Sequence, residues 1–159
     1  MSKIIGSFIF LMIVNSISAQ PPVKVMDFNQ LEKHITKKNN TVYIVNFWAT
    51  WCQPCIEELP DFLKLNEQFK NKNFKLILVS LDFSNQIKKR VEPFLKKHNI
   101  TSEVIVLDDL DANTWINKVD PSWDGAIPVT LLLQNGKKTF HNGTINYTEL
   151  YNLVQPKIK

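Results

Sequence analysis

The chain has 159 residues, 44% hydrophobic and 21% charged, which fits one soluble globular domain large enough to bury a core. Its net charge is +4, but the lysines are scattered and Arg90 is the only arginine, so the charge reads as solvated surface and gives no support to nucleic-acid binding. With two cysteines and three widely separated histidines (His34, His98 and His141), a four-ligand zinc site has no ligand set.

Residues 1–19 read as a secretory signal peptide. Lys3 supplies a short positive region, Ile4 to Val14 an apolar core, and Ser16 to Ala19 small residues around a cleavage point. The apolar run is short for a membrane span, so an uncleaved anchor is the second reading. No cysteine lies there to carry a lipid. The mature domain is expected to run from 20 to 159, starting near Gln20 or Pro21 with a net charge of +3 once Lys3 is removed. Export implies an oxidising compartment, where a reactive thiol pair stays reduced only if something reduces it.

After Pro21-Pro22, Val23 to Met26 reads as a first edge strand. Asp27 or Asn29 is placed to cap a helix running to about Lys38, with Phe28, Leu31 and Ile35 on its buried side. Thr41 to Phe47 is apolar on both faces, as in the central strand of a covered sheet, apart from Asn46. Ile56 to Lys70 repeats apolar residues at helical spacing, with Pro60 inside the pattern and a kink expected there. Phe74 to Leu81 is a second buried strand. Asn85 to His98 is an amphipathic helix in which Pro93 predicts a kink or a late start.

Glu103 to Leu107 is a short strand. Asp109, Asp111 and Asn113 match the first ligands of a calcium loop, but Thr114 and Asp120 stand where glycine and glutamate are needed, so the stretch reads as a capped turn. A short helix spans 114–119. The loop Asp120 to Gly125 is expected to expose Trp123, either bordering the site or packing. Val129–Leu133 and Lys137–His141 form a hairpin around Asn135-Gly136, and Ile145 to Val154 closes the chain as a helix.

The chemistry concentrates where a strand meets a helix, at Trp51-Cys52-Gln53-Pro54-Cys55. A helix N-terminus carries unpaired N–H groups and the positive end of the dipole, which favour a thiolate. Cys52 is nearest that end and is expected to attack, with Cys55 one turn later placed to resolve a mixed disulfide. Pro54 suits the first turn, where its missing N–H costs nothing. A purely structural disulfide would close too short a loop to stabilise much, so a redox dithiol is favoured.

Phe47-Trp48-Ala49-Thr50-Trp51-Cys52-Gln53-Pro54-Cys55 resembles the active site of the thioredoxin superfamily, and the continuation Ile56-Glu57-Glu58-Leu59-Pro60 is similar to its extracytoplasmic TlpA/ResA-type thiol–disulfide oxidoreductases. The resemblance covers about residues 23–156. It implies a thioredoxin-like α/β fold, a central mixed sheet with helices on both faces. It also implies a cis proline at Pro128 packed against the cysteine loop, with Ile127 offering backbone groups to an extended substrate segment. At Asn46 the sequence departs from thioredoxins, which usually carry a buried aspartate there thought to relay a proton; an amide cannot titrate. Glu58, on the Cys55 face of the helix, is implied to tune proton transfer instead; the plainer alternative is a solvated glutamate near a helix N-terminus.

The expected activity is dithiol–disulfide exchange by Cys52, Cys55 and Glu58, with Trp48, Trp51, Pro54, Ile127 and Pro128 shaping the docking surface. The expectation includes no metal or organic cofactor. The expected partners are a disulfide-containing exported protein as substrate and a membrane or periplasmic thiol electron donor, in a periplasmic setting. An oxidase or isomerase using the same residues, or a non-enzymatic binding module with this fold, are the alternatives.

Overall fold

The computed structural model describes residues 21–158, so the expected leader at 1–19 and the start at Gln20 lie outside the described residues. Among them no helix is long and apolar enough to cross a membrane. The elements in chain order are β1 (Lys24–Met26), α1 (Phe28–Ile35), β2 (Val42–Trp48), α2 (Gln53–Phe69) and β3 (Phe74–Ser80). They continue with α3 (Glu92–Lys97), β4 (Glu103–Leu107), α4 (Ala112–Val119), β5 (Val129–Gln134), β6 (Lys137–Asn142) and α5 (Tyr147–Val154). One six-stranded sheet has the order β1-β4-β3-β2-β5-β6. The first four strands in that order are parallel and the β5–β6 hairpin is antiparallel, giving a mixed sheet.

All seven residues of β2 are buried, because both faces of the sheet are covered. Its side chains alternate between two cores. Val42, Ile44 and Trp48 pack with Leu59, Phe62 and Leu65 of α2 and with α5. Tyr43, Val45 and Phe47 pack on the opposite side with Phe28 and Leu31 of α1 and Trp115 of α4. Asn46, at 0% exposure, takes its place on the α2 side.

Several ends differ from the sequence expectation for visible reasons. Asp27 caps α1 in a reciprocal box with Gln30 (2.8 and 3.1 Å), and the helix stops at Ile35 rather than near Lys38. Asn146 forms the same device with Glu149, so α5 begins at Tyr147 and Ile145 stays outside it. The stretch expected as one helix over 85–98 is three pieces: a 3₁₀ turn at Ser84–Gln86, a π-helical turn at Ile87–Val91, and α3. Pro93 sits in the first turn of α3, where a proline is tolerated, and the Glu92 N–H bonds five residues back to Ile87 O. α2 runs through Pro60 without a break.

Trp123 corrects an expectation. It is 3% exposed, tilted against Phe47 at 5.2 Å and Trp115 at 5.6 Å, with its indole N–H donating to Ala126 O at 2.7 Å. Two aromatic partners and a satisfied N–H make it core rather than a border of the site. Asp109 is likewise structural: its carboxylate accepts from the backbone N–H groups of Phe28 (3.1 Å) and Asp111 (3.2 Å).

Candidate active site

β2 delivers the chain to a turn over Ala49–Cys52, closed by Cys52 N–H donating to Ala49 O at 3.1 Å. Cys52 is the N-cap of α2, with extended backbone, and its Sγ accepts from Cys55 N–H at 3.3 Å. The sulfur thus takes one of the helix's unpaired donors, the position in which a thiolate is best stabilised. The two cysteines form a disulfide with Cα atoms 5.3 Å apart. Cys52 keeps 6% exposure and Cys55 none, so only Cys52 faces solvent.

The Ile127–Pro128 peptide is cis, and Ile127 O lies 3.8 Å from Cys52 Sγ. Pro128 precedes β5, which pairs with β2 directly, so the loop entering β5 abuts the turn leaving β2. Pro128 O is already used by Gly143 N–H at 3.0 Å. Trp51 is 59% exposed beside Cys52. Trp48 is 0% exposed and tilted against Phe94 at 5.2 Å, so it supports the site from beneath and cannot itself form the docking surface, a correction to its expected role. As the last residue of β2 it points into the α2-side core, where no substrate reaches.

Glu58, 6% exposed, lies one helical turn beyond Cys55. Its Oε1 accepts from the Asn46 amide at 2.9 Å and its Oε2 from the Ile145 backbone N–H at 2.9 Å. Burial raises its pKa from 4.5 to about 7, against the pull of those two donors toward the charged form. It is therefore not the solvated glutamate of the plainer alternative. Glu57, its neighbour, is exposed and bonded to Gln53.

The sequence gives little sign of how two further parts are connected. Asn46 also donates to Thr130 Oγ1 at 3.2 Å, joining β2, α2 and β5 in one buried polar layer. Asp82, 1% exposed, accepts from Thr50 N–H (2.9 Å), Thr50 Oγ1 (2.6 Å) and Ser80 Oγ (2.7 Å). It ties the turn before Cys52 to the end of β3, across 32 residues of sequence. A lone acid after an apolar strand is the only trace of it in the sequence. Among the described residues no group of three or more His, Cys, Asp or Glu is arranged to hold a metal.

A family model described as the AhpC/TSA family matches residues 18–142. Sporulation thiol-disulfide oxidoreductase A of Bacillus subtilis (strain 168) is 35% identical over 63 residues, covering 40% of this chain and 38% of that protein. Thiol-disulfide oxidoreductase ResA of Geobacillus thermodenitrificans is 27% identical over 135 residues, covering 84% and 72%. The chain spans well under half the length of several curated relatives that it matches: 38% of the sporulation oxidoreductase, 30% of a ResA from Oceanobacillus iheyensis and 36% of the thioredoxin-like protein YneN of Bacillus subtilis. Among solved structures, a thioredoxin-family thiol:disulfide interchange protein from Chlorobium tepidum superposes with a TM-score of 0.62 at 21% identity, covering 79% of this chain and 83% of that one. StoA from Bacillus subtilis does so at 0.55 and 24%, covering 72% and 82%. At such identities these structures speak to the fold, which is thioredoxin-like.

Proposed function

The chain belongs to the AhpC/TSA family, and on that footing we propose that it is an exported thiol–disulfide oxidoreductase that reduces disulfides of other exported proteins. One observation carries the reading. A cysteine at the start of a helix, the only one of the pair facing solvent, stands 3.8 Å from the carbonyl before a cis proline, with its partner buried behind it.

The cycle starts from the dithiol. Cys52 thiolate attacks a substrate disulfide; that S–S bond breaks, one substrate sulfur leaves as a thiolate and takes a proton, and a mixed disulfide forms. Cys55 gives up its proton, with Glu58 as the acceptor, and attacks Cys52 Sγ. The Cys52–Cys55 disulfide closes and the second substrate sulfur leaves and is protonated. The substrate gains two electrons and two protons, and a thiol donor later restores the pair. Glu58 suits the role because a carboxyl with a pKa of about 7 both accepts and returns a proton near neutral pH. Trp51, Pro54, Ile127 and Pro128 surround the attacking sulfur and receive the substrate segment.

Export is supported by the apolar run Ile4 to Val14 behind Lys3, and the setting is periplasmic, with membrane anchoring if that segment stays uncleaved. The deciding experiment is the equilibrium reduction potential of the Cys52–Cys55 pair in a thiol redox buffer. A value at or below about −270 mV is expected of a reductase; a value near about −120 mV would make the protein a disulfide donor instead.

A further inference from the structure

The fold aligns the carboxyl ends of β2, β3 and β4 along one edge of the sheet. Each of the three loops leaving that edge carries one large exposed apolar side chain. They are Trp51 after β2 (59% exposed), Phe83 after β3 (64%) and Leu110 after β4 (90%). Among the described residues only Val25, on edge strand β1, joins them as a large exposed hydrophobic. Isolated exposed apolar residues need no explanation. Three on successive strand exits, with a reactive sulfur at one end, do, because open α/β sheets take their ligands at the carboxyl ends of the strands.

Phe83 is held in this row. Asp82 is bonded twice to Thr50 and once to Ser80, so Phe83 and Trp51 are the next residues beyond one fixed contact. Neighbouring strands are about 4.8 Å apart, so the three exits span about 10 Å, the reach of about three extended residues.

We propose that this strip binds the chain flanking the substrate's reactive cysteine, and that Phe83 at its centre sets a preference for apolar side chains within about three residues of that cysteine. The proposal rests on the thiol–disulfide reading above. Its occupant is an extended segment of the disulfide-bearing protein, because the strip is continuous with the site at Cys52.

The test compares three disulfides reduced by the dithiol form of the full chain. They are cystine, a peptide disulfide with leucines flanking the cysteine, and the same peptide with serines. The wild type is expected to show a KM about tenfold lower for the leucine peptide than for the serine one, in line with burial of one or two apolar side chains. Phe83→Ser is expected to shrink that preference to about twofold with kcat and the cystine rate unchanged, and Phe83→Leu to keep most of it. An unchanged preference in Phe83→Ser overturns the proposal. So does a Phe83→Ser change in sedimentation, which would make the strip a contact between two copies of this chain.

Binding of a cysteine-free leucine peptide to the oxidised chain, read by titration calorimetry, separates the two readings. If the wild type reduces none of the three disulfides yet Phe83→Ser weakens this binding, the redox reading fails and the strip stands. If Phe83→Ser binds as the wild type does, the strip fails whatever the redox activity.

Discussion

The side-chain amide of Asn46 donates to Glu58 Oε1 at 2.9 Å, inside a layer where neither residue has appreciable access to water. Asn46 Oδ1 has no partner of its own there. Rotation of the amide therefore offers a protonated Glu58 an acceptor in place of a donor, so both protonation states can be met. The rate at which Cys55 closes the pair should accordingly follow a titration centred near the pKa of about 7. Glu58→Gln, which cannot titrate, should lose that inflection and slow the step about 10- to 100-fold. Stopped-flow release of a mixed disulfide, followed across pH 5–9, reads this; an inflection that survives in Glu58→Gln removes the carboxyl from the mechanism.

The same carboxyl links stability to pH. Its folded pKa is raised from 4.5 to about 7, so the folded state holds this proton more tightly than the unfolded one. The contribution is full below pH 4.5 and is lost as pH rises through about 7. At 1.36 kcal/mol per unit the loss is about 3 kcal/mol at most. Urea unfolding of the oxidised chain should show the wild type losing stability relative to Glu58→Gln, which does not titrate, as pH rises from 4.5 to 8. A constant difference would mean that burial does not perturb Glu58.

Asn46→Asp would set a second carboxyl within hydrogen-bond distance of the first. Two carboxylates so placed share one proton, and one of their pKa values rises further. The variant should fold near pH 5 and lose on the order of 2–4 kcal/mol of stability by pH 8. Parallel melts at the two pH values check this, and equal losses at both would point to packing instead of charge.

Much of the fold is legible in the chain because its cues are local. The two-faced apolar strand at 41–47, the Asn135-Gly136 turn and the cysteines at a strand–helix junction each announce their element. The cis state of Ile127–Pro128 came through family resemblance, since nothing in the two residues specifies it. The partners of Glu58 and Asp82 were not legible. Ile145 is 87 residues from Glu58, and Thr50 is 32 from Asp82, and such contacts follow from strand order, which no spacing along the chain encodes. Trp123 and Trp48 were misplaced for a related reason. An aromatic in a turn-rich loop or at a strand end looks accessible until the element that covers it is known.

Asp82→Ala should loosen the turn that carries Cys52. The substitution leaves the Thr50 N–H and two hydroxyls without their acceptor, and stranded buried donors cost about 1–3 kcal/mol each, less where water enters. A total loss of about 2–4 kcal/mol is expected, with faster amide exchange at Thr50 and Trp51. Thr50→Val, which keeps the backbone N–H bond and removes only the hydroxyl, should cost less than half as much. Equal losses in the two variants would show that the backbone contact contributes nothing.

Glu103 is the charged counterpart of these polar links, and its pH dependence runs the other way. Its Oε1 lies 2.6 Å from Lys24 Nζ of β1 and 3.0 Å from His34 Nε2 of α1, and its Oε2 lies 2.5 Å from Lys75 Nζ of β3. Burial works to raise its pKa, but Lys24, Lys75 and His34 together hold it down at about 2. A depressed carboxyl contributes stability above its unfolded value of 4.5 and loses it as pH falls through about 2. Both lysines are nearly half exposed, so water and salt screen the pairing, and about 1–2 kcal/mol is a fair expectation. Glu103→Gln should therefore be less stable than the wild type at pH 6, and the gap should close between pH 4.5 and 2. It should also narrow in 1 M salt, where the Debye length is about 3 Å. Because Lys24 sits on the three-residue edge strand, exchange of the β1 amides should rise first in the variant. A gap that persists unchanged to pH 2 would mean that the cluster holds β1 by shape and not by charge.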